Sequence, residues 1–280
     1  MADEPAFPRG STFPAQSPLF WVSEKDRYLR QLLIGDIEKL SGRNLITYYT
    51  DCNTNAQIDN SDDKYLLEMI GGCRDKQIDL VLETNGGGTD ATEKVISILK
   101  QATDDLRVIV PKRAKSNGTV VALAAREIVL GPASELGPID PFLNLAPNNA
   151  VPAQFILQAA QLAGQNIDPI ILQAAQYVIR QTQKLATNLL SAGMLKGKNA
   201  TEIEQVVQQL STRDVYHSHG SVIDHTEAKR LGLNVTYLSA EDGLWKWIWL
   251  LRCMYEHDAR QKGAVKIFEG LRYSSAIRPA

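Results

Sequence analysis

Cysteine is scarce in this chain of 280 residues, which carries only Cys52, Cys73 and Cys253. Three scattered cysteines exclude a disulfide-stabilised scaffold and a cysteine-based zinc site. They fit a reducing compartment, so the sequence predicts a cytoplasmic protein that binds no metal and needs no cofactor.

The chain also lacks an excess of charge and a long hydrophobic run. Lysine and arginine total 30 and aspartate and glutamate total 32, so the formal net charge is −2. This balance excludes a polycation, and we expect no nucleic-acid partner. The most apolar window, residues 244–251, contains Lys246 and is too short to span a bilayer. No basic start with a following apolar stretch opens the chain, so no secretion signal is expected.

Hydrophobic patterning predicts alternating strands and helices. Strands at residues 78–83 and 106–110 flank an amphipathic helix at residues 89–103. This order predicts parallel strands joined by a right-handed crossover. A second unit of the same kind follows, and two units in series indicate a stacked α/β core.

The chain divides into three parts by composition. Residues 1–18 contain four prolines, and we interpret them as a flexible N-terminal arm. Residues 19–240 form the main domain, with a helical insert from about 145 to 210. Residues 241–280 form a tryptophan-rich helix and a tail. This helix either packs on its own domain or forms a subunit interface, and attachment to a membrane surface is not favoured.

A glycine turn follows the strand at residues 78–83. Residues 86–91, GGGTDA, satisfy the G-x-G-x-x-A pattern of dinucleotide-binding turns, between a strand and a helix. Lys112 and Arg113 could then hold a 2′-phosphate, so a nicotinamide-dependent oxidoreductase is one candidate. About seventy residues precede this strand, whereas such folds usually begin with it. The simplest interpretation is a turn that only relieves backbone strain.

A serine turn follows the next strand. Ser116 stands directly before a helix, at the carboxyl end of the sheet, where sites of α/β proteins lie. The backbone N–H groups of Asn117 and Gly87 could converge near its hydroxyl, and this is the arrangement that acyl transfer needs. The alternative is that Ser116 only caps the helix.

Together, the two turns and later segments resemble a known family. The glycine turn, the segment KSNGTVVALAAREIVLGPASELGPIDP and the later HG and EAKRLGL motifs are similar to the serine dehydrogenase proteinase family, relatives of signal peptide peptidase A. The resemblance covers about residues 43–235. It implies an α/β, Clp/crotonase-like stacked ββα superhelix with an added helical segment. It also implies that Ser116 is the nucleophile and that Gly87 and Asn117 supply the oxyanion amides. Asn117 stands where the family usually has a small residue.

Relatives of this family divide between lysine and histidine as the base. The side chain of Lys115 should diverge from its neighbour Ser116. Lys184, Lys196 and Lys198 stand in no recognisable dyad context. Gln154 falls roughly where the lysine-dependent relatives carry their base, so the sequence favours histidine.

His219, in the HG motif, is the favoured base. Asp140, in GPIDP, falls close to the position of the catalytic histidine in the Clp subunit. The hypothesis is a triad with these places exchanged, in which Ser116 attacks, His219 is the general base and Asp140 orients it. Asp140 could instead be a turn residue, and His219 a solvated loop residue. His217 and His219 have no third metal ligand at a supporting spacing.

These observations predict a serine-type peptidase, a hydrolase that acts on peptides or proteins. The resemblance further implies a homo-oligomer, a trimer or larger. Three other functions stay open: a non-catalytic scaffold or binding protein, the nicotinamide-dependent oxidoreductase, and an acyl-thioester enzyme whose paired amides hold an enolate while Ser116 is idle.

Overall fold

A computed structural model of the chain describes residues 17–73, 76–146, 149–162 and 166–279. The arm predicted for residues 1–18 lies, up to residue 16, outside the described residues. The helices described are, in chain order, α1 (Pro18–Ser23), α2 (Lys25–Ser41), α3 (Asp63–Gly71), α4 (Thr89–Ala102), α5 (Asn117–Leu123), α6 (Ala153–Ala160), α7 (Pro169–Ala192), α8 (Ala200–Ser211), α9 (His225–Arg230) and α10 (Gly243–Lys262). The strands are β1 (Asn44–Thr50), β2 (Gln77–Glu83), β3 (Asp105–Val110), β4 (Arg113–Ala114), β5 (Glu127–Leu130), β6 (Glu135–Leu136), β7 (Phe142–Ala146), β8 (Asn149–Pro152), β9 (Val235–Tyr237), β10 (Lys266–Gly270) and β11 (Ser274–Ile277).

Seven of these strands form one sheet in the order β11-β10-β1-β2-β3-β5-β9. The five strands from β1 to β9 in this order run parallel, while β10 is antiparallel to β1 and β11 to β10. The parallel pairing of β2 and β3 across α4 confirms the predicted unit. The observed mixed α/β architecture with a central sheet confirms the predicted class.

Both faces of the sheet are covered, as a parallel sheet requires. Side chains alternate along β1, so Ile46 and Tyr48 join a core with α3, α4 and α5. Leu45 and Tyr49 face the other way and join a second core with α2 and α10. None of the helices in the described ranges combines the length and the hydropathy that a bilayer crossing needs.

The segment after the C-terminal helix differs from the prediction of a tail. It contains β10 and β11, and β10 is buried along its whole length beside β1. Strand β10 is hard to predict from the sequence, because the charged residues Lys266 and Glu269 interrupt its apolar pattern. In the structure, Lys266 Nζ donates to Asp62 Oδ1 at 2.8 Å and Glu269 accepts from Arg30 Nε at 2.7 Å. Paired charges of this kind can be buried in a strand.

The predicted helical insert begins with a hairpin of β7 and β8 rather than a helix. Helices α6, α7 and α8 follow, and α6 packs on α7 through Ala153, Ile156 and Ala175. Sequence alternation in β7 is weak because most of its residues are exposed. The hairpin lies directly after Asp140 and therefore borders the candidate site.

The tryptophan-rich helix α10 packs on its own domain. Trp245 is buried, and a Cβ atom on Gly131 would lie 2.4 Å from its ring, so the two residues are in tight contact. Trp249 stacks on Trp245 with ring centroids 6.4 Å apart. Of the two interpretations of this helix, intramolecular packing explains Trp245, while the subunit interface stays a prediction.

Candidate active site

A short row of strand pairings crosses the carboxyl edge of the sheet. Thr84, just beyond β2, forms a parallel bridge with Ala114 in β4. Ala114 pairs with Leu136 in β6, and Leu136 forms an antiparallel bridge with Ile223. Four segments that are distant in the sequence therefore lie side by side.

Each of these segments carries one predicted site residue within four positions of its pairing. Gly87 follows Thr84, Ser116 follows Ala114, Asp140 follows Leu136 and His219 precedes Ile223. The topology thus brings the predicted residues to the same edge of the sheet.

Ser116 has a strained backbone. Its φ is 51° and its ψ is −124°, and no other non-glycine residue among those described has a positive φ. Such a conformation costs roughly 1–3 kcal/mol and persists only where the surroundings impose it. Although Ser116 precedes α5, its side chain makes no capping hydrogen bond. The interpretation of Ser116 as a helix cap therefore lacks the hydrogen bond that would support it.

Hydrogen bonds of the residues next to Ser116 hold the serine turn in place. The Gly118 N–H donates to the Lys115 carbonyl oxygen at 2.7 Å. The Thr119 hydroxyl lies 2.7 Å from the Ala114 carbonyl oxygen and accepts from the Gly137 N–H at 3.0 Å. These bonds join the turn to the segment that leads to Asp140, so the strained serine cannot relax alone.

The glycine turn is shaped by close contacts of the backbone. The Ile58 N–H donates to the Gly86 carbonyl oxygen at 2.8 Å, and the Gly88 N–H donates to the Ile58 carbonyl oxygen at 3.0 Å. A Cβ atom on Gly87 would lie 2.3 Å from the Ile58 oxygen, and one on Gly86 (φ 104°) would lie 2.9 Å from Ser116 Cβ. Only glycine fits at either position.

The same contacts orient two amide groups. In a trans peptide the N–H points opposite to the C=O. Because the Gly86 carbonyl faces Ile58, the Gly87 N–H faces away from it. The Ser116 carbonyl oxygen accepts from the Val120 N–H at 3.2 Å, so the Asn117 N–H points out of the start of α5. Neither amide hydrogen has an acceptor among the residues that the structure describes.

The side chain of Asn117 ties the two turns together. Its Nδ2 donates to the Gly87 carbonyl oxygen at 2.6 Å and lies 3.3 Å from Thr89 Oγ1. The residue is 8% exposed. Asn117, the residue that departs from the family pattern, thus directs its side chain toward the glycine turn and bonds to it.

His219 and Asp140 form a hydrogen-bonded pair. His219 Nδ1 lies 2.6 Å from Asp140 Oδ1. Asp140 is 2% exposed, whereas the His219 side chain is 28% exposed. The other carboxylate oxygen, Oδ2, accepts from Arg213 Nε at 2.8 Å. Sequence reasoning did not find Arg213, because it stands in no motif and on no periodic face.

The hydroxyl of Ser116 makes no hydrogen bond to His219 in the described part of the chain. The two segments are nevertheless joined at their neighbours, since Lys115 Nζ donates to the Ser221 carbonyl oxygen at 2.9 Å. Bonds between a nucleophile and its base are often long in an empty enzyme and tighten when substrate binds.

The lysine that precedes Ser116 bonds to groups other than the serine hydroxyl. Lys115 Nζ also donates to the Leu136 carbonyl oxygen at 3.1 Å and lies 3.3 Å from Glu135 Oε2. Burial lowers the pKa of Lys115, and the charge of Glu135 opposes this shift. Gln154 Oε1 accepts from the Arg213 N–H at 2.8 Å. The three remaining candidates, all exposed, are Lys184, Lys196 and Lys198.

The glycine turn also bears on the nicotinamide alternative. In dinucleotide-binding turns, glycines allow a pyrophosphate to approach the backbone. Here the space against Gly86 and Gly87 is filled by Ile58 and by the serine turn. Close contacts within the chain therefore account for the glycines.

Comparison with protein families gives a match over residues 54–273 to the ClpP-like SDH-type serine proteinases. Two relatives are uncharacterized proteins of Methanocaldococcus jannaschii. MJ0137 is 32% identical over 210 residues, covering 73% of this chain and 68% of the relative. MJ1495 is 28% identical over 165 residues, covering 58% of this chain and 52% of the relative. The match thus spans about half the length of the second relative.

Two solved structures are similar to this chain. A variant of the 1510-N membrane-bound stomatin-specific protease in complex with a substrate peptide is 22% identical, with a TM-score of 0.44. The match covers 67% of this chain and 72% of that one. ClpP1 from Listeria monocytogenes is 16% identical with a TM-score of 0.44, covering 74% of this chain and 98% of that one.

Proposed function

We propose, since this chain belongs to the ClpP-like SDH-type serine proteinase family, that it hydrolyses peptide bonds through Ser116. Membership confirms the serine-type peptidase class and the Clp-like α/β fold that the sequence predicted. The particular residues are our proposal. Ser116 is the nucleophile, His219 the general base, Asp140 its orienting partner, and the Gly87 and Asn117 amides the oxyanion hole.

In the acylation step, Ser116 Oγ attacks the carbonyl carbon of the scissile bond. Its proton passes to His219 Nε2, and the carbonyl oxygen becomes an oxyanion that accepts from both amides. When the tetrahedral intermediate collapses, the C–N bond breaks and His219 returns the proton to the leaving amine. The product is an acyl ester on Ser116 and a new amino terminus.

Water completes the reaction by the same route. His219 removes a proton from a water molecule, whose oxygen attacks the ester carbonyl carbon. The ester bond breaks, Ser116 regains its proton from His219, and a carboxylic acid product leaves. Both steps need His219 with Nε2 free to accept a proton. The 2.6 Å contact of Nδ1 with Asp140 supports this, because it places the ring proton on Nδ1.

The observation that carries the proposal is the combination at Ser116. A strained backbone and two amide hydrogens without acceptors do not stabilise the folded chain. They are suited to bind the oxyanion that forms when the serine attacks a carbonyl group. Removal of one such donor costs roughly 10²- to 10³-fold in the rate of acyl transfer.

Covalent labelling tests the proposal. The full chain is incubated with a fluorophosphonate, and adducts are located by mass spectrometry in the wild type and in the Ser116→Ala, His219→Ala and Asp140→Asn variants. His257→Ala is the matched control, because His257 is exposed on α10, which covers the opposite face of the sheet from α5. We expect an adduct on Ser116 that is lost in Ser116→Ala, strongly slowed in the next two variants and unchanged in the control.

Other outcomes identify the step that fails. Labelling that survives His219→Ala at the wild-type rate would remove His219 as the base. Absence of an adduct on folded wild-type protein would favour the non-catalytic scaffold.

We further propose peptides or proteins as substrates and a homo-oligomer, a trimer or larger, as the assembly. A cytoplasmic location stays a prediction from the cysteine content. Sedimentation velocity at several concentrations tests the assembly, and a single species with the mass of one chain would contradict it.

A further inference from the structure

We propose that Arg213 is a positioning residue of this reaction, which fixes Asp140 and thereby sets the orientation of His219. The inference rests on the triad proposed above. It adds a residue from the loop after α8 that acts through Asp140 rather than on the substrate.

Asp140 has one partner on each carboxylate oxygen. Oδ1 meets His219 Nδ1 at 2.6 Å and Oδ2 accepts from Arg213 Nε at 2.8 Å. The carboxylate is buried, so its charge needs compensation within the protein. Rotation of the carboxylate would break both bonds, and Arg213 therefore fixes the oxygen that His219 uses.

Arg213 is itself held on several sides. Its Nη1 donates to the His217 carbonyl oxygen at 3.2 Å, and its backbone N–H donates to Gln154 Oε1 at 2.8 Å. The guanidinium carbon lies 5.5 Å from the ring centre of Phe142 and 4.8 Å from that of Phe155. Planar guanidinium groups are suited to such aromatic contacts. An arginine restrained in this way can transmit a fixed position to Asp140.

Phe142 connects the same elements a second time. Its ring meets the His219 ring edge to face, with centroids 4.7 Å apart. The imidazole thus contacts Asp140 through Nδ1 and Phe142 through its ring, while Arg213 contacts both of these partners. The group behaves as one packed unit, and loss of Arg213 would loosen two contacts of His219.

The test measures the rate at which a fluorophosphonate modifies Ser116 in the full chain. Arg213→Met and Arg213→Gln remove the charge, and Arg213→Lys keeps it. Arg107→Met is the matched control, because Arg107 also pairs with a buried aspartate, Asp79, at the amino edge of the sheet.

We expect the two neutral variants to react roughly 10- to 100-fold more slowly near neutral pH. Arg213→Lys should recover part of the rate, because it keeps a positive charge beside Asp140, and Arg107→Met should match the wild-type rate per folded molecule. In the double variant with Asp140→Asn, the loss should be smaller than the product of the two single losses.

The inference is overturned if a folded neutral variant keeps the wild-type rate, if Arg213→Lys recovers none of the rate that Arg213→Met loses, or if the double variant shows independent losses. Arg213→Gln retains amide donors and replaces Arg213→Met if that variant does not fold. The result also separates the two proposals. If His219→Ala and Asp140→Asn slow labelling while the neutral Arg213 variants do not, only the role of Arg213 fails. If His219→Ala and Asp140→Asn have no effect, the triad fails and Arg213 with it.

Discussion

The polar groups at the two edges of the parallel sheet differ in whether they have hydrogen-bond partners. At the amino edge, buried Asp79 accepts from Arg43 Nε at 2.6 Å and from Arg107 Nη2 at 2.6 Å, and Arg43 also donates to Asp105. At the carboxyl edge, the Ser116 hydroxyl and the adjacent amide of Asn117 have no partner among the residues described. Ser116 is half-buried, so these groups are accessible to a ligand, as the proposed active site requires.

The difference separates stability from function. The paired cluster at the amino edge holds three strands in register, because Arg43 lies at β1, Asp79 in β2 and Arg107 in β3. The serine turn at the other edge stores strain instead. Substitutions at the amino edge should therefore reduce stability and spare activity, while substitutions at the carboxyl edge should reduce activity.

The largest effect is expected at Ser116. Ser116→Ala and Ser116→Gly should both reduce peptide hydrolysis by at least about 10⁴-fold, because the nucleophile is gone. Glycine adopts a positive φ without strain, whereas alanine does not. The free energy of unfolding, measured by urea denaturation, should thus be higher for Ser116→Gly than for Ser116→Ala by about 1 kcal/mol. Equal stabilities would contradict a strained turn.

The next largest effect should come from the amino edge. Asp79→Asn leaves the two arginines without their shared carboxylate and should lower the free energy of unfolding by about 3 kcal/mol. The remaining folded protein should label with a fluorophosphonate at the wild-type rate. A lower labelling rate per folded molecule would show that the two edges are coupled.

A smaller loss of activity is expected when the side chain of Asn117 is removed. Asn117→Ala removes the hydrogen bond to the Gly87 carbonyl oxygen and should lower activity roughly tenfold, because the oxyanion amides are less well fixed. Asn234→Ala is the matched control at the amino edge, where Asn234 Nδ2 donates to the Arg126 carbonyl oxygen at 2.7 Å. Both variants should lose about 1 kcal/mol of stability, but only the first should lose activity.

The smallest expected effect is on the stability of the protein at acidic pH. Hydrogen bonds from Arg230, and then from the Tyr216 hydroxyl, lower the pKa of Glu227 from 4.5 to about 2. Between these values the unfolded chain binds more protons, so this contribution to stability is present above pH 4.5 and is lost as the pH falls toward 2. Glu227→Gln should remove less than about 1 kcal/mol, since the pair is accessible to water. Chemical denaturation at several pH values measures it, and an unchanged pH slope in the variant would contradict the assignment.

Local patterns in the sequence were sufficient for much of the fold. The parallel strands β2 and β3 followed from one strand, helix and strand unit, and the predicted strands at residues 78–83 and 106–110 lie within them. Strand β10 was missed because its paired charges hide its burial, and a pairing partner such as Asp62 cannot be read from spacing. Long-range ion pairs leave no local signal.

The candidate site shows the same limit. Ser116 and Gly87 follow strands and could be placed at one edge by topology alone. The contact of His219 with Asp140 was inferred from motifs that resemble a family, and the structure brings the two side chains together. Arg213 was not found, because its role depends on a buried carboxylate 73 positions away.

The most direct measurement of the central claim is a crystal structure of the protein after reaction with a fluorophosphonate. We expect a bond between phosphorus and Ser116 Oγ, with one phosphonyl oxygen about 2.7–3.1 Å from both the Gly87 and the Asn117 nitrogen. His219 should then face the Ser116 oxygen through Nε2 while Nδ1 stays on Asp140. A label on another residue, or a phosphonyl oxygen turned away from the two amides, would contradict the assignment of the carboxyl edge as the active site.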